Sequence, residues 1–269
     1  VDTIQDGAGN AGETGTSFTV EGGLTIASGG LAGDDGTEEA TVQGDFTVDG
    51  GGVSNLATLA VESGGNLDVT GQLGVGDGTF TVATGGTAIV TASANPVIDV
   101  AGGSFNTNGG SLTVTDNGSG DAIKVTDTNS ETTLNAGATT ISGSANPISV
   151  DGTNGNGAIV TLGDVTFGVP FDGDTAFDLT GTDADVTIDG ADGVTIDVLG
   201  DANTNKGTLL TGGGSFTSTN GVELTPDLEG VAATDGNVVD LDVNVTESSA
   251  VFDVGSVTAN SATDRDNGN

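Results

Sequence analysis

Apolar residues alternate with polar ones along short stretches of this chain, and Gly, Asp and Asn cut one stretch from the next. In a β-strand the spacing of Val194, Ile196 and Val198 turns those three toward a core, while Thr195 and Asp197 face water. The same alternation fills Thr79-Phe80-Thr81-Val82, Ala88-Ile89-Val90 and Val97-Ile98-Asp99-Val100, which follow one another as a group of three. A second group runs through Phe105, Leu112-Thr113-Val114 and Ile123-Lys124-Val125, and a third through Leu134, Thr140-Ile141 and Ile148-Ser149-Val150. Val100, Val125 and Val150 therefore recur in equal steps of 25 residues (125 minus 100, 150 minus 125). Asn95-Pro96-Val97-Ile98-Asp99-Val100 and Asn146-Pro147-Ile148-Ser149-Val150 are almost the same strand written twice. A fixed period of this size is the mark of a solenoid, in which each repeat buries its apolar face against the next.

The groups continue through Val160, Val165 and Phe177, then Val186, Val194 and Leu209, then Phe216, Val222 and Val239. Before them the theme runs less regularly through Phe18, Leu24, Phe46, Leu59, Leu67 and Leu73. No segment longer than a turn keeps the spacing of an amphipathic helix. The pattern predicts an all-β chain: a single-domain right-handed parallel β-helix, or β-solenoid, with little or no helix. It places the β-helix at residues 17–257, a polar lead-in at 1–16 and a polar tail at 258–269. With about eight or nine three-strand rungs stacked at ~4.8 Å, the rod would be on the order of 40 Å long.

Charge narrows the partners. The chain carries 3 Lys+Arg against 39 Asp+Glu, a formal net charge of −36. Such a surface repels phosphate backbones and anionic headgroups, so nucleic acid is excluded and cations are the natural partners. No run approaches the apolar length of a membrane span. A chain without Met that starts at Val1 fits an exported mature form, and the expected location is extracellular, at the cell surface, while the absence of Cys excludes a disulfide framework and says nothing of the compartment.

Chemistry is mostly missing. His, Cys, Tyr and Trp are absent, which removes the usual general base, thiol nucleophile and phenolic acid, so no catalytic residue is assigned and no enzyme is expected. The architecture resembles that of β-helical polysaccharide lyases, but the basic residues that family presents to anionic sugars would have to come from Lys124, Lys206 and Arg265, which are widely scattered. Carboxylate pairs such as Asp172/Asp174 leave glycoside hydrolysis as a lesser alternative. Ladders of Thr at Thr79/Thr81, Thr113, Thr166 and Thr195 resemble the arrays of ice-binding β-solenoids, though without a Thr-x-Thr pair on every coil.

Acidic turns supply oxygen ligands for a hard cation, and calcium is the one cofactor they imply. The metal candidates are Asp34 and Asp35, then Asp183 and Asp185 with Asp189 and Asp192, then Asp201, Asn203 and Asn205. The run Asp151-Gly152-Thr153-Asn154-Gly155-Asn156 is a further candidate loop. From Phe18 to Val257 the strand-and-turn repeats resemble β-helical passenger and haemagglutinin-type surface adhesins, a resemblance that implies a rod and carries over no functional residue. The expected function is an extracellular structural subunit that polymerises head-to-tail with copies of itself into a filament, sheath or matrix fibre. A surface adhesin, or a glycan- or calcium-binding module, is the alternative.

Overall fold

A computed structural model describes residues 17–33, 36–107, 109–118, 120–128, 130–143, 146–168, 175–190, 194–199, 206–212, 214–220, 222–227, 240–245, 251–254 and 257–259. Among these residues the regular structure is all strand, 29 in number, with no helix. The strands stack into three parallel sheets of ten, ten and nine, and each strand pairs with those three places before and after it in the chain. That order defines a β-solenoid with three strands to the turn, close to the eight or nine rungs expected. The first sheet runs from Ser17–Val20 to Val251–Val254, the second from Leu24–Ile26 to Val257–Ala259, and the third from Leu31–Ala32 to Asp240–Val245. The last strand of the second sheet thus enters the segment expected as tail, and the lead-in at 1–16 lies outside the described residues.

Register explains the repeat. Val75, Val100, Val125 and Val150 lie directly over one another in the third sheet, with Leu179 next. Beside them Leu73, Ile98, Ile123, Ile148 and Phe177 form a second inward column. Because side chains alternate sides along a strand, a slip of one residue would send both columns to solvent. The stacking of like on like therefore fixes the register.

A parallel ladder bonds every inner rung on both sides, and the core is one continuous cluster from Val20 to Phe216. Phenylalanine rings pack against one another within it. Phe80 lies under Phe105 with ring centroids 4.5 Å apart, and Phe177 stands between Phe167 at 5.4 Å and Phe216 at 4.9 Å. Those three rings come from three different sheets, so the interior is packed across the solenoid as well as along it.

Tight corners let the chain turn from sheet to sheet, and in places only glycine fits between rungs. A methyl at Gly71 would stand 1.1 Å from the carbonyl oxygen of Gly51 on the rung before, whereas one at Gly22 would meet nothing within 4 Å. Gly71→Ala should therefore cost more than about 2 kcal/mol of unfolding free energy, with Gly22→Ala within about 0.5 kcal/mol of the parent. Urea denaturation of the two variants checks this.

Candidate functional site

The most constrained polar group among the described residues is Asp127, a residue absent from the candidates above. It follows the strand Asp121–Thr126 at a position with no solvent exposure. The loop of the next rung closes over it. Its Oδ1 accepts the N–H of Asn154 at 3.1 Å and its Oδ2 accepts the N–H of Asn156 at 2.8 Å. The Asn154 side-chain amide donates to the carbonyl oxygen of Asp127, and the Asn156 amide donates to that of Thr128 at 2.8 Å. Burial by itself would raise the pKa of Asp127. Hydrogen bonds from the backbones of Asn156 and Asn154, the Asn154 side chain and the Gly157 backbone outweigh it and hold the group below its ordinary 3.8.

The loop with a calcium-like spacing of oxygens, Asp151 to Asn156, is thus organised around a protein carboxylate. Asp151 Oδ1 accepts from its own turn, from Thr153 N at 3.1 Å and Thr153 Oγ1 at 2.7 Å, while the Asp127 N–H donates to the Asp151 carbonyl at 3.0 Å. Asn154 and Asn156 act here as donors to one buried anion. The signal for Asp127 was present in the alternation: it stands two residues after the inward Val125, at a position that faces the core.

Asp116 obeys the same parity, two residues after Val114, and is 2% exposed at the end of the strand Ser111–Asp116. Its Oδ1 takes the Gly118 N–H at 2.6 Å, while its Oδ2 has no hydrogen-bond partner. On the third sheet Asp99 lies beside Lys124 in register. Half-burial raises the pKa of Asp99, and the Lys124 ammonium only partly opposes that rise.

Of the predicted calcium ligands, Asp34, Asp35, Asp192, Asp201, Asn203 and Asn205 lie outside the described residues. Asp183 is exposed at the turn before the strand Ala184–Ile188, Asp185 is half-buried on that strand, and Asp189 is exposed just beyond it. Asp183 and Asp185 share the outer side, since the residue between them, Ala184, is buried. Asp189 stands about 13 Å further along at strand spacing, whereas calcium ligands must converge to about 2.5 Å from one ion. Among the described residues no three acids gather to hold a metal.

The threonine ladders resolve into columns. Thr113, Thr140, Thr166 and Thr195 occupy one outward column of the second sheet, where Asp68 and Ile89 precede them and Glu223 follows. Thr79 and Thr81 belong to the first sheet. With the geometry in hand, comparison with known proteins adds nothing to it: no family model, no curated protein and no solved structure matches this chain.

Asp127→Asn replaces one acceptor oxygen by a donor that faces backbone N–H groups, at a cost of about 1–3 kcal/mol near neutral pH. A depressed folded pKa contributes stability above the unfolded value and loses it as pH falls through the folded one. The stability gap between parent and Asp127→Asn should therefore be full at pH 7 and shrink progressively below pH 3.8. Thermal melts across that range test it, and a gap independent of pH would rule out a charged Asp127 as its source.

Proposed function

We propose that this chain is a structural subunit of an extracellular filament, built by head-to-tail addition of one solenoid to the next. The observation that supports this reading is the way the sheets terminate. Among the described residues the strands Ser17–Val20, Leu24–Ile26 and Leu31–Ala32 pair on one side only, as do Asp240–Val245, Val251–Val254 and Val257–Ala259 at the other end. A strand with one free edge presents a row of N–H and C=O groups to any strand of matching direction. Rungs at the two ends are both parallel three-strand turns, so the contact of one end with the other repeats the geometry inside the subunit. Such a contact is heterologous and does not close, which makes a fibre.

Charge governs when growth occurs. Subunits of net charge −36 repel at low ionic strength, and salt shortens the range of that repulsion from about 30 Å at 0.01 M to about 8 Å at 0.15 M. Electron microscopy of purified protein at rising salt, with and without calcium, tests the reading. Unbranched fibres one solenoid wide, appearing as salt rises, are the expected result. Monodisperse single particles under every condition would overturn it. Calcium, if it acts through specific ligands, should promote fibres at micromolar concentration, well below the level needed for screening.

A further inference from the structure

Three Asn-Gly pairs lie wholly within the described residues: Asn117-Gly118 at the corner after the strand Ser111–Asp116, and Asn154-Gly155 and Asn156-Gly157 in the loop over Asp127. An asparagine before glycine is prone to lose its side-chain amide nitrogen. Glycine has no Cβ to hinder its backbone nitrogen, which attacks Cγ of the asparagine before it. The glycine N–H gives up its proton to water, the bond from Cγ to Nδ2 breaks, and ammonia leaves behind a five-membered imide. Water then opens that ring at either carbonyl, giving aspartate or isoaspartate.

The fold needs glycine at these corners for reasons of its own. A methyl at Gly118 would stand 3.0 Å from Asp116 Oδ1 and 3.1 Å from the Ser93 carbonyl oxygen, and Gly157 has a φ of +93°. Solvent access does not separate the pairs, since Asn117, Asn154 and Asn156 are all exposed. Nor does the attacking nitrogen separate Asn117 from Asn156. The Gly118 N–H donates to Asp116 at 2.6 Å, and the Gly157 N–H donates to Asp127. The side chains differ. Nδ2 of Asn156 donates to the Thr128 carbonyl on the rung before at 2.8 Å, and Nδ2 of Asn154 donates to the Asp127 carbonyl. Asn117 bonds through its backbone N–H to the Ala92 carbonyl at 2.7 Å, while its side chain has no hydrogen-bond partner among the described residues.

We propose that Asn117 is a site of spontaneous deamidation in the folded rod, and that the corner built on Asp127 withholds Asn154 and Asn156 from the same reaction. Cγ of a tied asparagine cannot swing onto the following nitrogen until the loop lets go of its amide. The ties at Asn154 and Asn156 cross from one rung to the next and close around one carboxylate, so they open together. Asn117 has only to rotate its own side chain. Its product is a further carboxylate beside buried Asp116. In the isoaspartyl form it also puts an extra carbon into the main chain, at the corner where that chain is bonded to Ala92. The change is irreversible, so the modified fraction records the age of the rod.

Unfolding erases the ties and leaves the dipeptides alike, which supplies the reference for the test. The protein is held at mildly alkaline pH, either folded in physiological salt or unfolded in guanidinium chloride, and the loss of each amide is followed by peptide mass mapping. In the folded protein Asn117 should be lost at least about fivefold faster than Asn154 or Asn156, the factor that one net hydrogen bond holds back. In the unfolded chain the three rates should agree within about twofold. Asn117→Gln should remove most of the isoaspartate that the folded protein accumulates and leave its melting temperature unchanged. Asp127→Asn should quicken Asn154 and Asn156 at least about fivefold without changing the rate at Asn117. Equal rates at the three sites of the folded parent, or Asn156 ahead of Asn117, would overturn the proposal, and this comparison decides even where Asp127→Asn does not fold. A folded Asp127→Asn protein in which all three rates rise together would overturn it too, because the protection would then come from global stability and not from the corner.

Discussion

Everything in this rod depends on one rung lying directly on the next. A single three-strand turn has no core of its own, and its inward Val, Ile or Phe is covered only when the same position of the neighbouring turn sits above it. Ile98 on Ile123 on Ile148 shows the constraint at its simplest. The backbone ladder and the apolar column demand the same register, so each reinforces the other. Where column residues change size, the change is met from another sheet: Phe177 widens the third-sheet column as Phe167 and Phe216 reach it from the other two.

That constraint also decides where charge can go. Inward positions are closed to acids unless donors come with them, and Asp127 is admitted because two asparagines of the following rung aim N–H groups at it. The carboxylate thereby clips one corner loop to the next, a polar counterpart of the apolar columns. Outward, the third sheet accepts acids while the middle of the second carries hydroxyls and Ile89.

Alternation and spacing made much of this legible. Val100, Val125 and Val150 stack as their equal steps imply, because residues that share a column must keep step with the length of a turn. The first rungs were harder to read, since strands such as Leu31–Ala32 and Val53–Ser54 are two residues long and carry no period. The polar turns were less legible than the strands. Oxygen-rich spacing in the Asp151–Asn156 loop has the look of a cation loop, but it arises from a turn that donates hydrogen bonds to Asp127, 27 residues back from Asn154. Composition cannot distinguish an amide that offers its oxygen from one that offers its N–H. Parity could have flagged Asp127 and Asp116 as inward acids, yet which rung supplies the donors emerges only once the turns are stacked.

The rungs follow one another at a constant axial step, and pairs of spin labels measure that step. Thr81, Thr161, Thr187 and Thr217 stand in one outward column of the first sheet, three, four and five strand steps apart counted from Thr81. With cysteines introduced pairwise into this Cys-free chain, dipolar electron resonance should give backbone separations of about 14, 19 and 24 Å, rising by ~4.8 Å for each rung. Distances that fail to increase in that order, as a folded-back sandwich would produce, would contradict the solenoid and everything built on it.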